Sequence, residues 1–193
     1  MKYQKLFIIA VVFILIIFGA YYFLSQKNYP IANVGQGLIA AKDFDISFNA
    51  ALSFYRQQAS QQGADDPATD KEFLKELKRA TLEKLVDVEI VHGSLYEKME
   101  TKEIKQSINS QLEAIEQNNT EENVTAIENL FNVSWQEFER LILIPEAETA
   151  LLIQDLNSKS IDFNTWLEAR KKDLEIEIFY PGYFWDGESV KAN

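Results

Sequence analysis

The chain has 193 residues, with 19 basic and 30 acidic side chains, one histidine and no cysteine. A net charge of −11 argues against a phosphate-backbone binder, which needs a basic stripe. The absence of cysteine excludes disulfides, thiol catalysis and cysteine-ligated metal, and a lone His92 leaves histidine-based zinc sites and triads without partners. No cofactor, no metal and no nucleic acid is therefore expected, and the length suggests one domain with an appendage.

The run from Leu6 to Leu24, LFIIAVVFILIIFGAYYFL, holds 19 residues without a charge. As a helix it would be roughly 28 Å long, close to the hydrocarbon thickness of a bilayer. It is too long for the apolar region of a signal peptide and ends in Gly-Ala-Tyr-Tyr-Phe-Leu-Ser-Gln, a poor cleavage site. Lys2 and Lys5 precede it, and Lys27 follows. The excess of positive charge on the N-terminal side predicts a signal anchor with the N-terminus in the cytoplasm and the rest outside. Residues 1–27 contain three of the basic side chains and no acid, so the remaining 166 residues carry 16 bases against 30 acids, a net −14. Such acidity favours solubility and keeps the domain from lying flat on anionic lipid.

Beyond the anchor the pattern is helical. Ile31–Ile39 reads as a short strand with a glycine-punctuated turn; its glycines lack the Lys-Ser/Thr or third Gly of a phosphate loop. From Ala41, Phe44, Phe48, Ala51 and Tyr55 recur at helical spacing, and Ala59–Ala68 reads as a mobile loop. Thr69-Asp-Lys-Glu72 has the form of a capping box opening a helix to about Met99. Its expected buried stripe is Leu74, Leu77, Thr81, Leu85, Val88, His92, Leu95 and Met99. His92 thus reads as a packed histidine without a catalytic partner. A third helix from Thr101 presents Ile104, Ile108, Leu112 and Ile115, and a short fourth presents Val124, Ile127 and Phe131. Ser134 and Glu137 form a second capping box, opening a helix that Pro145 should kink or break. Ser160 or Asp162 caps a last helix, Phe163 to Lys172. Leu174–Tyr180 alternates apolar and acidic residues as a half-exposed strand, followed by the aromatic tail Tyr183-Phe184-Trp185. Strands at opposite ends of a helical chain need partners, and pairing with each other is the economical solution.

Several stretches carry a family likeness. Val34–Phe44 is similar to the opening strand and first-helix start of the N-terminal chaperone domain of the SurA and PrsA type, a module related to one in trigger factor. Leu82–Ile90 resembles its long helix, Phe131-Asn-Val-Ser-Trp-Gln-Glu-Phe138 its aromatic–Ser–Glu–Phe element, and Ile142–Pro145 its proline-containing run. Phe163–Arg170 and the Ile176–Ile178 strand resemble its closing helix and strand. The likeness covers about residues 31–180. Many members carry a parvulin prolyl isomerase domain before the closing helix. Here Leu156 reaches Phe163 through only Asn-Ser-Lys-Ser-Ile-Asp, so isomerase activity, or any other enzymatic activity, is not expected.

The expected fold is mainly α. Residues 1–27 form a cytoplasmic n-region and transmembrane anchor, and residues 28–180 a SurA-N-like helical domain with a small β pairing of its N- and C-terminal strands. Residues 181–193 form an aromatic tail. The resemblance implies a membrane-anchored, ATP-independent holdase for unfolded or partly folded exported proteins. It would be single-pass in a bacterial cytoplasmic (inner) membrane, touching the bilayer through Leu6–Leu24, with its C-terminal domain on the extracytoplasmic, periplasmic side of the cell envelope. The alternative is a non-enzymatic envelope adaptor docking one fixed partner. No catalytic residue is expected: Asp65-Asp66 and Glu121-Glu122 lie in polar loops without an acid–base partner. The candidates for client contact are Tyr180, Tyr183, Phe184 and Trp185, beyond the last periodic element.

Overall fold

The computed structural model describes residues 27–193. They form a mainly helical domain with two small antiparallel sheets. Strands β1 (Pro30–Val34) and β2 (Gly37–Ala40) are a hairpin with a two-residue turn. Gly35 takes φ +60° at the first turn position, where a type II′ hairpin needs glycine. Helices α1 (Ala41–Gln62) and α2 (Lys71–Lys98) follow, then α3 (Thr101–Asn118), α4 (Glu121–Phe131) and α5 (Trp135–Phe138). A π-helical turn, Glu139–Leu143, leads into α6 (Ile144–Ser158), and α7 (Phe163–Asp173) follows. The chain closes with β3 (Ile176–Ile178), β4 (Tyr183–Trp185) and β5 (Val190–Ala192). Among the described residues no helix is long and apolar enough to cross a membrane. The expected anchor, Leu6–Leu24, lies outside them.

The pairing expected between the ends of the domain is present. β1 lies between β2 and β3, with Ala32 opposite Ile178 and Val34 opposite Ile176. Flanking bonds from Gly35 N to Glu175 O (2.8 Å) and from Phe179 N to Ile31 O (2.7 Å) extend the ladder. Beneath this sheet, Ile31, Val34, Ile39, Phe44 and Ile176 pack on Leu82, Val86 and Ile90 of α2. A second cluster joins Val91 and Leu95 of α2 to Ile104 and Ile108 of α3 and to Ala147, Leu152 and Leu156 of α6.

Several local features differ from the sequence expectation. The deepest row of α2 is Leu82, Val86 and Ile90, not the expected stripe, because the sheet covers a face that periodicity alone left undefined. The α2 cap is Asp70, whose carboxylate accepts from the Glu72 and Phe73 N–H groups. Thr69 instead ends a 3-10 turn, Pro67–Thr69. The segment read as a loop from Ala59 is helical to Gln62 and stops at Gly63 with φ +66°. Asp66 then reaches back to take both Nε (3.0 Å) and a terminal nitrogen (2.6 Å) of Arg56. At Pro145 the helix neither breaks nor ends. The Ile144 N–H bonds the carbonyl five residues back, at Glu139, and this wider π turn accommodates a ring that has no N–H to give. Ser134 and Glu137 do form the reciprocal capping box, and of the two candidate caps for α7 it is Asp162 that accepts from Thr165 N.

The closing strand is shorter than the alternation Leu174–Tyr180 suggested, and residues beyond it form the β4–β5 hairpin, packed on α2. Val190 is fully buried there, and its N–H donates to Glu83 at 2.6 Å. Lys171 of α7 sits beside this contact, its side chain 12 % exposed, 2.7 Å from Glu83 and 2.6 Å from Asp87. Burial pulls the Lys171 ammonium's pKa down, but the two carboxylates outweigh it and leave it raised. Burial also raises the Asp87 carboxyl, which Lys171 only partly offsets. Lys171→Met strips the cation from two adjacent carboxylates and is expected to cost about 3 kcal/mol, read as a lower urea midpoint at unchanged slope.

Candidate functional site

An apolar groove of about 300 Å³ opens between α1, α2 and the α4–α6 segment. Its floor is made of small side chains, Ser47, Ala50, Ala51 and Thr81, and that is why a space remains between well-packed helices. The walls are Ile46 and Tyr55 from α1, Leu77, Leu85 and Val88 from α2, and Phe131, Phe138, Leu141 and Ile142 opposite. Phe131 is fixed by stacking on Phe54 (centroids 5.8 Å apart) and by contact with Phe138 (5.4 Å), so three helices meet in one aromatic run.

Polar ties surround the groove. Arg140 in the π turn holds Asp43 of α1 at 2.7 Å. Further along α1, Ser53 Oγ donates to Leu130 O (3.1 Å) and Gln57 Nε2 to Asn129 O (2.7 Å). Glu128 accepts the Trp135 N–H at 2.7 Å, fixing α4 to the start of α5. The Glu137 carboxyl at the rim is held below its ordinary value by the Ser134 backbone N–H and hydroxyl. The lining helices present no free strand edge, so the groove can grip side chains but offers a peptide backbone no ladder.

Two ties cross the seam between α2 and α6, the wall opposite α1. Lys84 reaches Glu146 at 3.2 Å across the mouth, with both side chains more than half exposed. Two turns further along α2, His92 Nδ1 donates to Glu148, at 3.0 Å from one carboxylate oxygen and 3.2 Å from the other. Glu148 is only 3 % exposed. The hydrogen bond to Glu148 raises the His92 pKa against the opposing effect of burial, and the charges of Glu148 and Glu89 add to it. Burial raises the Glu89 carboxyl as well. His92 is thus a seam histidine, as the sequence suggested, but with a buried carboxylate as its partner. Nothing in the sequence signalled that partner.

The four residues singled out for client contact lie away from this groove. Tyr180 packs on Phe44 (4.6 Å between centroids), and Tyr183 donates its hydroxyl to Lys75 O at 3.0 Å. The Lys171 ammonium lies 6.0 Å from the Trp185 ring centroid. Only Phe184 turns outward, at 44 % exposure. The groove escaped sequence reading because segments far apart in the chain contribute to it, with apolar side chains that any amphipathic helix would bury.

Against known families, the SurA-like N-terminal domain family matches residues 3–121, which span β1 through α3 and the segment before them. No curated protein and no solved structure matches the chain.

The pH response of stability follows from the seam. A histidine whose pKa is raised by folding contributes stability that is full below its unfolded pKa, near 6.5, and is lost as pH climbs through the folded value. Glu89, raised by burial, acts in the same direction from its unfolded value near 4.5 upward. The urea midpoint should therefore fall between pH 6 and pH 8.5. His92→Gln, which keeps a donor but cannot titrate, should flatten the upper part of that fall.

Proposed function

The chain belongs to the SurA-like N-terminal domain family, a chaperone-related group, and from that premise we propose that it is an ATP-independent holdase. In this reading Leu6–Leu24 anchors it in a bacterial inner membrane, and residues 28–193 work on the extracytoplasmic side. Apolar side chains of unfolded exported polypeptides enter the groove between α1, α2 and α4–α6. The reading includes no catalysis.

The observation that carries it is the groove itself, apolar, open and rimmed by ties that keep it from collapsing. Its 300 Å³ is the share of liquid volume of about ten waters, room for roughly two or three leucine-sized side chains. Burying these is worth roughly 5–8 kcal/mol, which after the cost of association means micromolar binding or weaker. Weak, side-chain-only recognition suits a client that must leave in order to fold. A net −14 keeps the loaded domain soluble and favours basic clients, while a tether raises the local concentration near the site of export.

The full chain in lipid nanodiscs should suppress light scattering by a chemically unfolded client at near-stoichiometric ratio without ATP, with empty nanodiscs as control. Failure across several clients removes the holdase reading and favours the adaptor. Ala51→Trp, which fills the half-buried floor, should raise the amount of protein needed about tenfold. Leu38→Ser, on the exposed edge strand β2 outside the groove, should leave it unchanged.

A further inference from the structure

We propose that the His92–Glu148 pair is a proton-operated clamp that holds α6 against α2 and so sets how far the groove opens. The proposal rests on the groove being the client site, but its mechanical part stands on the seam alone. Val88 of α2 and Pro145 and Glu146 of α6 line the groove, and His92 and Glu148 occupy the next turn of the same two helices. Of the two ties across the seam, the Lys84–Glu146 pair is exposed and contributes little. The buried tie is the one that titrates.

Among the described residues, His92 is the only cation paired with Glu148. On α2 its neighbours are the Glu89 carboxylate one turn earlier and the Tyr96 ring, 4.4 Å between centroids. On α6, the hydroxyl of Thr149 next to Glu148 is committed to Pro145 O. From α7, Arg170 reaches this region but is bound to Glu97 (2.6 Å) and Ser94 (3.3 Å). The β1–β2 turn contributes the uncharged Gln36, and α3 contributes the apolar Ile104 and Ile108. Among the described residues His92 is the single donor to Glu148.

With His92 protonated, the buried carboxylate faces a full charge at hydrogen-bond distance. When the proton leaves, two carboxylates share the seam with a neutral ring. Glu148 then carries an uncompensated charge at 3 % exposure, which is costly in a low-dielectric site. It regains water only if α6 parts from α2, and that movement widens the groove at its Val88–Pro145 end. His92 is half-exposed on its other side, so protons reach it without unfolding. The clamp is therefore closed in mild acid and released as pH rises, and client capture should rise about threefold or more from pH 6 to pH 8.

The absence of cysteine makes a distance measurement direct. Spin labels on Lys98→Cys and Ala150→Cys, exposed sites on α2 and α6 outside the groove, report the seam by electron–electron double resonance in the full chain in nanodiscs. The distance distribution should lengthen or broaden from pH 6 to pH 8. It should become pH-independent in His92→Gln, and also in Glu148→Gln, which removes the buried charge. An unchanged distribution in the unsubstituted protein, or a pH response surviving in both variants, overturns the clamp. Client capture without a pH-dependent distance sinks the clamp and leaves the holdase standing. A pH-dependent distance without capture does the reverse.

Discussion

One helix has to satisfy three surroundings at once. α2 gives Leu82, Val86 and Ile90 to the sheet, Val91 and Leu95 to α3 and α6, and Leu77, Leu85 and Val88 to the groove. Glu83 and Asp87 lie between these apolar rows, both less than a third exposed. Lys171 from α7 and the Val190 N–H from β5 meet them, with Arg79 one turn earlier also 3.6 Å from Glu83. Those contacts fasten the end of the chain to its middle. The same charges would be expensive without them, since a carboxylate withdrawn from water needs a partner. The positions of α7 and the terminal hairpin follow from that need as much as from apolar packing.

The groove has its own internal logic. Its floor is small and its walls are large, the reverse of a core that interdigitates to native density. Collapse is prevented by bonds at the edge: Arg140 to Asp43 at one end, and Ser53 and Gln57 to α4 at the other. The π turn belongs to the same scheme, because it carries the chain through Pro145 without a break and keeps Leu141 and Ile142 on the wall.

Features decided by short stretches of sequence were legible in it. The Ser134–Glu137 box, the Ile104–Ile108 face, the Asp162 cap and the pairing of the terminal strands all follow from neighbouring residues or from the need of a strand for a partner. What escaped was set by residues far apart in the chain. Periodicity could not choose between the two apolar rows of α2, because the choice depends on which one the sheet covers. The partnership of His92 with Glu148 joins residues 56 positions apart. The tail from Pro181 onward looked unpatterned because its order comes from Asp186 accepting the Glu188 and Ser189 N–H groups and from contacts with α2, with no amphipathic repeat of its own.

The place of β1 in its sheet has a consequence for the order of assembly. It is the central strand, flanked by β2 from the next few residues and by β3 from the far end of the chain. A ribosome or export channel delivers the chain from the N-terminus, so β1 waits as half of a two-stranded hairpin, a unit barely stable alone, until Ile176 arrives. By then every helix that lines the groove has already emerged. The groove can thus take shape before the domain is sealed, and the long-range pairing makes sealing the slow step. Once it arrives, β3 acts as a fastener for the helices that precede it in the chain.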